Sequence, residues 1–273
     1  MNGCRYRPLV RLTIVTWNLK GSKGVDIAAV ARHLRTEGAD VVVLQEVQWH
    51  QARALARALG ARSRRWAFKH WPVRTWPEGM AVIGVTVALR ARGRSLSHRW
   101  QPWSWRRRIA VQGVVDAGGT PVSLFDLHLS SRSTTADVRR QEIAKVLRWV
   151  AARPAPVIVA GDLNERPGRG VHEDLAAAGL RDAWAKLHGG AEAGPAPDPG
   201  ATNWRGWRPG TSEPPTQRLD YVYVSADATP TSASLPDLDA PTGERFSSLS
   251  DHLPVTAVLE VGGSSGAEAG PQG

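Results

Sequence analysis

The chain has 273 residues, 22% of them charged and 42% apolar, proportions that exclude a fibre, a disordered polymer and a small disulfide-stapled domain. Its one cysteine, Cys4, fits a reducing compartment, no run approaches the ~20 apolar residues of a membrane span, and residues 1–12 lack the apolar stretch of a signal peptide, so a cytoplasmic monomer is expected. The formal net charge of +10 is uneven, residues 1–115 holding 21 of the 35 Lys and Arg but five of the 25 acidic residues, which points to an anionic partner for that half.

In chain order, apolar patterning predicts a strand at 12–17 (LTIVTW), then a helix at 26–34 capped by Asp26 and ended at Gly38. The continuous run VVVLQEV (41–47) reads as a strand buried on both faces. A second helix, HQARALARALG, follows and stops at Gly60. Further strands are predicted at 80–89, 109–115 and 122–129, a helix at 136–152, and strands at 157–164, 218–224 and 254–261. Strands outnumber helices and several are joined by links of hairpin length, the pattern of a mixed-sheet α/β protein. The Gly- and Pro-rich segment 189–217 is expected to be a long surface loop, because a strand needed by the same core follows it. One domain is expected over 1–261, with a disordered tail at 262–273 (GGSSGAEAGPQG).

Polar residues recur where apolar runs end: Asn18, Glu46, His128, Asp162, Asn164, Asp220 and the Ser250-Asp251-His252 turn. Singly, each has a structural explanation, as a strand terminator, a cap or a partner for a nearby Arg. Strand ends that converge are where a sheet enzyme places its chemistry, and the set together points there.

Here the chain resembles the endonuclease/exonuclease/phosphatase superfamily, through TWNLKG (16–21), LQEV (44–47), EGMAVIG (78–84), DLHLSS (126–131), GDLNERP (161–167), RLDYVYVS (218–225) and SDHLPV (250–255). The resemblance implies a DNase I-like four-layer α/β sandwich, two packed mixed sheets flanked by helices, and metal-dependent hydrolysis of a phosphate ester. Asn18, Glu46 and Asp251 supply the hard oxygen donors that Mg²⁺ or Mn²⁺ prefers, and zinc-type Cys/His spacing is absent. By similarity to the family, Asp162 orients or deprotonates the attacking water, Asn164 holds that water or a phosphate oxygen, and His252 sits against the phosphate with Asp220 behind it. Whether Asp162 or the His252/Asp220 pair is the base stays open. In the DNase I-like and sphingomyelinase-like branches a Glu before the middle strand pairs with the His of the next motif, places that Glu78 and His128 occupy. Arg107 or Arg108 lies where related enzymes put a phosphate-binding Arg. Abasic-site nucleases use a Tyr in the comparable region, and this chain has no Tyr between Tyr6 and Tyr221, which counts against that activity.

Between Trp49 and Arg108, Arg alternates with Trp66, Trp71, Trp76, Trp100, Trp103 and Trp105. Phosphate forks beside stacking faces suit nucleic acid, the substrate class expected first. The same Trp and Arg also suit peripheral docking of the loops WPVRTWP and WQPWSW on a membrane surface, so a phospholipid or sugar phosphate is the second expectation. A binding protein without catalysis is disfavoured by the complete carboxylate, His and Asn set.

Overall fold

In the computed structural model the described residues are 9–68, 78–96, 108–131, 136–154, 156–189, 197–238 and 245–262. Twelve strands are assigned: β1 (Val10–Asn18), β2 (Val41–Gln48), β3 (Ser63–Phe68), β4 (Glu78–Gly84), β5 (Ala88–Ser95), β6 (Ile109–Ala117), β7 (Thr120–His128), β8 (Val157–Asp162), β9 (Arg181–Asp182), β10 (Asp220–Val224), β11 (Ala228–Ser234) and β12 (Val255–Val261). They form two six-stranded sheets, ordered β11-β12-β1-β2-β4-β3 and β5-β6-β7-β8-β10-β9. Each sheet has one parallel pair, β1 with β2 and β7 with β8, and is otherwise antiparallel.

The period of two along each strand divides the apolar side chains between layers. From β1, Leu12 and Ile14 join Val43, Val82, Val111, Leu124 and Ile158 between the sheets. Its alternate residues Val15 and Trp17 face outward, where they meet helices α1 (Ile27–Thr36) and α2 (Trp49–Ala58) through Val30, Leu34, Ala52 and Leu55. The second sheet does the same on its outer face, Phe125, Leu127 and Val159 packing on Ile143, Val146, Val171 and Leu175 of α3 (Ala136–Ala151) and α4 (Gly170–Ala177). Two shorter helices, α5 (Ala183–His188) and α6 (Phe246–Leu249), complete the fold. The four layers are those expected, and each fully buried Leu, Ile or Val contributes about 1.5–3 kcal/mol. Asp26 caps α1 as expected, accepting the amides of Ala28 and Ala29.

One predicted strand is two. The run 80–89 breaks at residues 85–87 into β4 and β5, which lie in different sheets. Apolar continuity does not report the change of direction. Asp40 imposes it, its carbonyl accepting the Val85 amide at 2.8 Å and its carboxylate accepting the Thr86 hydroxyl. A Cβ on Gly84 would lie 2.3 Å from the Val87 carbonyl, so the fold-back requires glycine there. No helix among the described residues is long and apolar enough to cross a membrane. The expected tail, from residue 263 on, lies outside the described residues.

Strand direction places the polar residues. β1, β2, β7 and β8 run toward one end of the sandwich and deliver Asn18, Glu46, His128 and Asp162 at or near their C-termini. Strands β4, β6, β10 and β12 run the opposite way, so Glu78, Arg108, Asp220 and the Asp251-His252 pair stand at or just before their starts. Eight separate stretches of sequence therefore reach the same end of the two sheets.

Candidate active site

At that end the first cluster forms around His252. Its Nδ1 lies 2.7 Å from Asp220 Oδ2, both side chains being almost fully buried. Asp220 Oδ2 also accepts the Thr202 hydroxyl at 2.6 Å, and Thr202 Oγ1 in turn accepts the amides of Leu219 and Asp220 at 3.2 Å. Asn203 Nδ2 is 2.9 Å from His252 Nε2 and donates to the Asp251 carbonyl at 3.2 Å. The imidazole is thus held from both nitrogens. Burial disfavours its charged form, but the Asp220 and Asp162 carboxylates outweigh that and raise His252 to about 10.

Asp162 lies between this cluster and a second one. Its Oδ2 accepts from Asn18 Nδ2 at 3.1 Å, and its Oδ1 accepts the Asn164 amide at 2.8 Å. Burial raises its carboxyl above the ordinary range; the His252 charge opposes this and Asp220 adds to it. Its Oδ2 stands 3.9 Å from His252 Nε2 and 3.6 Å from His128 Nε2. The approach to His128 follows from register, since His128 and Asp162 are partners across the parallel pair β7–β8. A Cβ on Gly161 would lie 2.1 Å from the Leu127 carbonyl, so only glycine lets the two strands come this close just before the aspartate.

His128 Nε2 is also 2.9 Å from Arg108 Nη1 and 3.7 Å from Glu46 Oε1. A guanidinium has no acceptor, so this Nε2 accepts and the imidazole proton resides on Nδ1. Arg108 extends its other nitrogen to Ser131 Oγ at 3.2 Å. The expected partner of His128, Glu78, is differently engaged: its carboxylate accepts the Ser22 amide at 3.1 Å. Among the described residues, Glu46 and Asp162 bring carboxylates within ion-pair range of His128. The bulge described next turns Glu46 toward the imidazole, and β4 brings Glu78 level with Gln48, beyond that bulge.

Two side chains of the set stand on left-handed backbone, Glu46 at φ 50° and Asn164 at φ 49°. Between Leu44 and Val47 the β2–β4 register shifts, and this bulge carries Gln45 and Glu46. Gln45 enters the intersheet core, where it donates to Asp126 at 2.7 Å and Thr16 at 3.2 Å, and Glu46 turns to the site. Asn164 donates its side-chain amide to the Leu129 carbonyl at 3.0 Å.

The donor set fits a hard divalent cation. Glu46 and Asp251 are its partly exposed carboxylates, 26% and 15% by side chain, and a protein cation already sits on Asp251, the Lys20 ammonium. Lys20 also lies over the Trp207 ring, 4.9 Å from its centroid. Among the described residues, one group of three His, Cys, Asp or Glu side chains brings its ligand atoms within 4.8 Å of one another: Asp162, Asp220 and His252. The expected metal-holding residues Asn18, Glu46 and Asp251 are each engaged with other groups of the protein. Lys20 draws Asp251 to itself and Glu46 turns toward His128, while Asn18 uses its carbonyl oxygen for the Lys20 amide at 3.2 Å. The buried Asp220 Oδ1 has no hydrogen-bond partner.

Sequence reasoning missed Lys20, Thr202 and Asn203. The last two fall within the segment expected to be a surface loop, yet Thr202 is fully buried and Asn203 pairs through bridges with Gln217 and His252. A β-branched residue and an amide before Trp204, amid Gly and Pro, were the available signal. Arg107 and the tryptophans 71, 76, 100, 103 and 105 lie outside the described residues.

The profile of the Endonuclease/Exonuclease/phosphatase family matches residues 15–252. Among solved structures, the chain is similar to an endonuclease/exonuclease/phosphatase from Beutenbergia cavernae DSM 12333, with 23% identity, a TM-score of 0.72, and 93% of this chain and 72% of that one covered. It is similar to D. rerio TDP2 complexed with single strand DNA product, with 20% identity, a TM-score of 0.67, and coverage of 91% and 98%. It is also similar to a mannosyl-6-phosphatase of Bacteroides thetaiotaomicron VPI-5482, with 18% identity, a TM-score of 0.68, and coverage of 91% and 99%. Comparison with curated proteins by sequence returned no match.

Proposed function

The chain belongs to the endonuclease/exonuclease/phosphatase family of phosphate-ester hydrolases, and from that membership and the site geometry we propose a divalent-metal-dependent phosphodiesterase that acts on nucleic acid. The observation that carries the reading is the linked array Asp220–His252–Asp162–His128–Arg108, buried at one end of both sheets and open through Glu46 and Asp251.

The roles follow from the hydrogen bonds. Asp220 accepts a hydrogen bond from the His252 Nδ1 proton and favours the imidazolium, whose positive charge would meet a phosphate oxygen and whose Nε2 proton becomes a donor to it once the Asn203 amide, 2.9 Å away, yields that position to substrate. Asp162 has one oxygen fixed by the Asn164 amide and the other by Asn18, so its remaining lone pairs are aimed. A buried carboxylate with raised proton affinity can take the proton of an attacking water. Asn164, with one side-chain amide hydrogen on the Leu129 carbonyl, has the other to offer the water or the phosphate, Asn203 holds His252 in place, and Arg108 with His128 meets the negative charge on the departing oxygen. Asn18, Glu46 and Asp251 would hold Mg²⁺ or Mn²⁺, with Asp162 adjoining. A bound ion would add neutralisation of phosphate and leaving-group charge. Glu78 acts in this reading through the 21–23 turn that it anchors by Ser22.

Nucleic acid is favoured over lipid or sugar phosphate by the cationic first half of the chain and its Arg–Trp alternation. The structural relatives include proteins whose names point each way, one holding single strand DNA product and one a mannosyl-6-phosphatase. The test is a substrate panel of supercoiled plasmid, single-stranded DNA, RNA, sphingomyelin vesicles, mannose 6-phosphate and a bis-aryl phosphodiester, each with Mg²⁺, Mn²⁺ or EDTA. Cleavage of nucleic acid and of the aryl diester, lost in EDTA, is expected. Activity indifferent to EDTA would remove the metal, and turnover of lipid or sugar phosphate alone would replace the substrate.

A further inference from the structure

Between α2 and the edge strand β3, running from the site end of the sandwich toward its opposite end, lies a surface groove of about 560 Å³. Four arginines line it, Arg57 from the last turn of α2, Arg62 from the link, and Arg64 and Arg65 from β3, all exposed. No carboxylate lines it, and none of the four arginines makes an ion pair with a described residue. The end of the groove nearest the site carries two indoles. Trp49 begins α2 and is 47% exposed, and Trp66 is fixed by its Nε1, which donates to the Val47 carbonyl at 3.0 Å. Val47 is the residue after Glu46, so this indole is tethered to the bulge that presents Glu46 to the site.

A groove with cations along its length and aromatic faces at one end matches a flexible chain of phosphates and bases. From Trp49 to Ala58 the wall formed by α2 rises about 13.5 Å, enough for a short run of phosphates of an extended strand. Indole faces recognise bases only when these are unstacked, which selects a single strand over a duplex. A lipid headgroup would need its cations on a common plane with apolar side chains directed into the bilayer, whereas these arginines are spread along a channel leading away from the catalytic end.

We propose that this groove is a binding track for single-stranded nucleic acid, holding the nucleotides that flank the scissile phosphate, with bases on Trp49 and Trp66 and phosphates on Arg57, Arg62, Arg64 and Arg65. The proposal rests on the nucleic-acid reading of the site for its consequence in catalysis, but binding can be measured without turnover.

The test uses the full chain in EDTA and fluorescence anisotropy of labelled oligo-dT of 4, 8 and 12 nucleotides, across a KCl series. The triple variant Arg62→Ala/Arg64→Ala/Arg65→Ala and the single variant Trp49→Ala are compared with wild type. Affinity is expected to rise from 4 to 8 nucleotides, to fall at least about 10-fold in the triple variant and severalfold in Trp49→Ala, and the triple variant's salt slope to shrink by about 2, at ~0.7 per phosphate contact. Hydrolysis of the bis-aryl phosphodiester is expected to be unchanged in both variants, which shows that they fold. Equal oligonucleotide binding by wild type and triple variant overturns the proposal, as does binding of the wild type to phosphatidylserine vesicles but not to oligo-dT. Failure of the site reading has a different signature, no diester hydrolysis by wild type while arginine-dependent binding of oligo-dT persists.

Discussion

Glu46 shows most clearly what a single residue contributes. A non-glycine residue at φ 50° is strained by about 1 kcal/mol, and the β2–β4 bulge keeps it there so that a carboxylate faces His128 and the opening of the site. Glycine at an ordinary strand position costs about that much; here relief of strain should cancel it. Glu46→Gly is therefore expected to retain the wild-type unfolding free energy in urea within about 0.5 kcal/mol while losing metal-dependent turnover, and a free energy lowered by about 1 kcal/mol or more would show the backbone relaxed as it stands. At this scale much of the site is legible in the sequence. Asn18, Glu46, His128, Asp162 and Asp220 stand out because each is polar at or near one end of an apolar run. Lys20, Thr202 and Asn203 do not, since they lie where no period exists against which a polar residue looks out of place. Pairing is less legible than presence: Glu78 is at the site's end of the sheet, but its oxygen goes to the Ser22 amide, a choice made by the conformation of a turn.

Among elements, the strands read well where they are buried on both faces and poorly at edges. The central strands β1, β2, β7 and β8 are runs of nearly continuously buried, mostly apolar residues. Edge strands β3 (SRRWAF) and β11 (ATPTSAS) carry the charges, polar residues and proline that keep an open edge from pairing with another chain, and so resemble loops. The intersheet layer contains a further element-scale feature, the Thr16–Gln45–Asp126 chain that ties β1 and β2 to β7. Burial raises the Asp126 carboxyl well above the ordinary value, with the Gln45 amide opposing only part of this, so folding favours the protonated form of this group. The unfolded chain releases the proton above about pH 4. The folded state then binds more protons than the unfolded one, and this group withdraws stability as pH rises from about 4 toward its folded-state value. Asp126→Asn is expected to remove that loss, gaining up to about 1.4 kcal/mol per pH unit relative to wild type over this window, read from urea midpoints between pH 4 and 8. Parallel pH dependences in the two proteins would show that Asp126 is ionised in the core.

Over the whole molecule, the uneven charge acquires a location. The cationic first half supplies β1–β5 and most of β6, including the edge strand with Arg64 and Arg65 and the helix with Arg57, whereas Asp162, Asp220 and Asp251 come from the second half. The two halves meet at the strand ends, so a basic surface borders an acidic, buried centre. In the proposed function such a pairing would concentrate a polyanion beside carboxylates to which a divalent cation would bind. In the proposed function this centre hydrolyses phosphodiesters with His252 as an essential group. This is tested most directly by kcat for the bis-aryl phosphodiester at saturating Mg²⁺, measured for wild type and for His252→Ala with an unchanged circular dichroism spectrum. A loss of about 10²–10⁴-fold is expected; a kcat within a few-fold of wild type would contradict the assignment of this site.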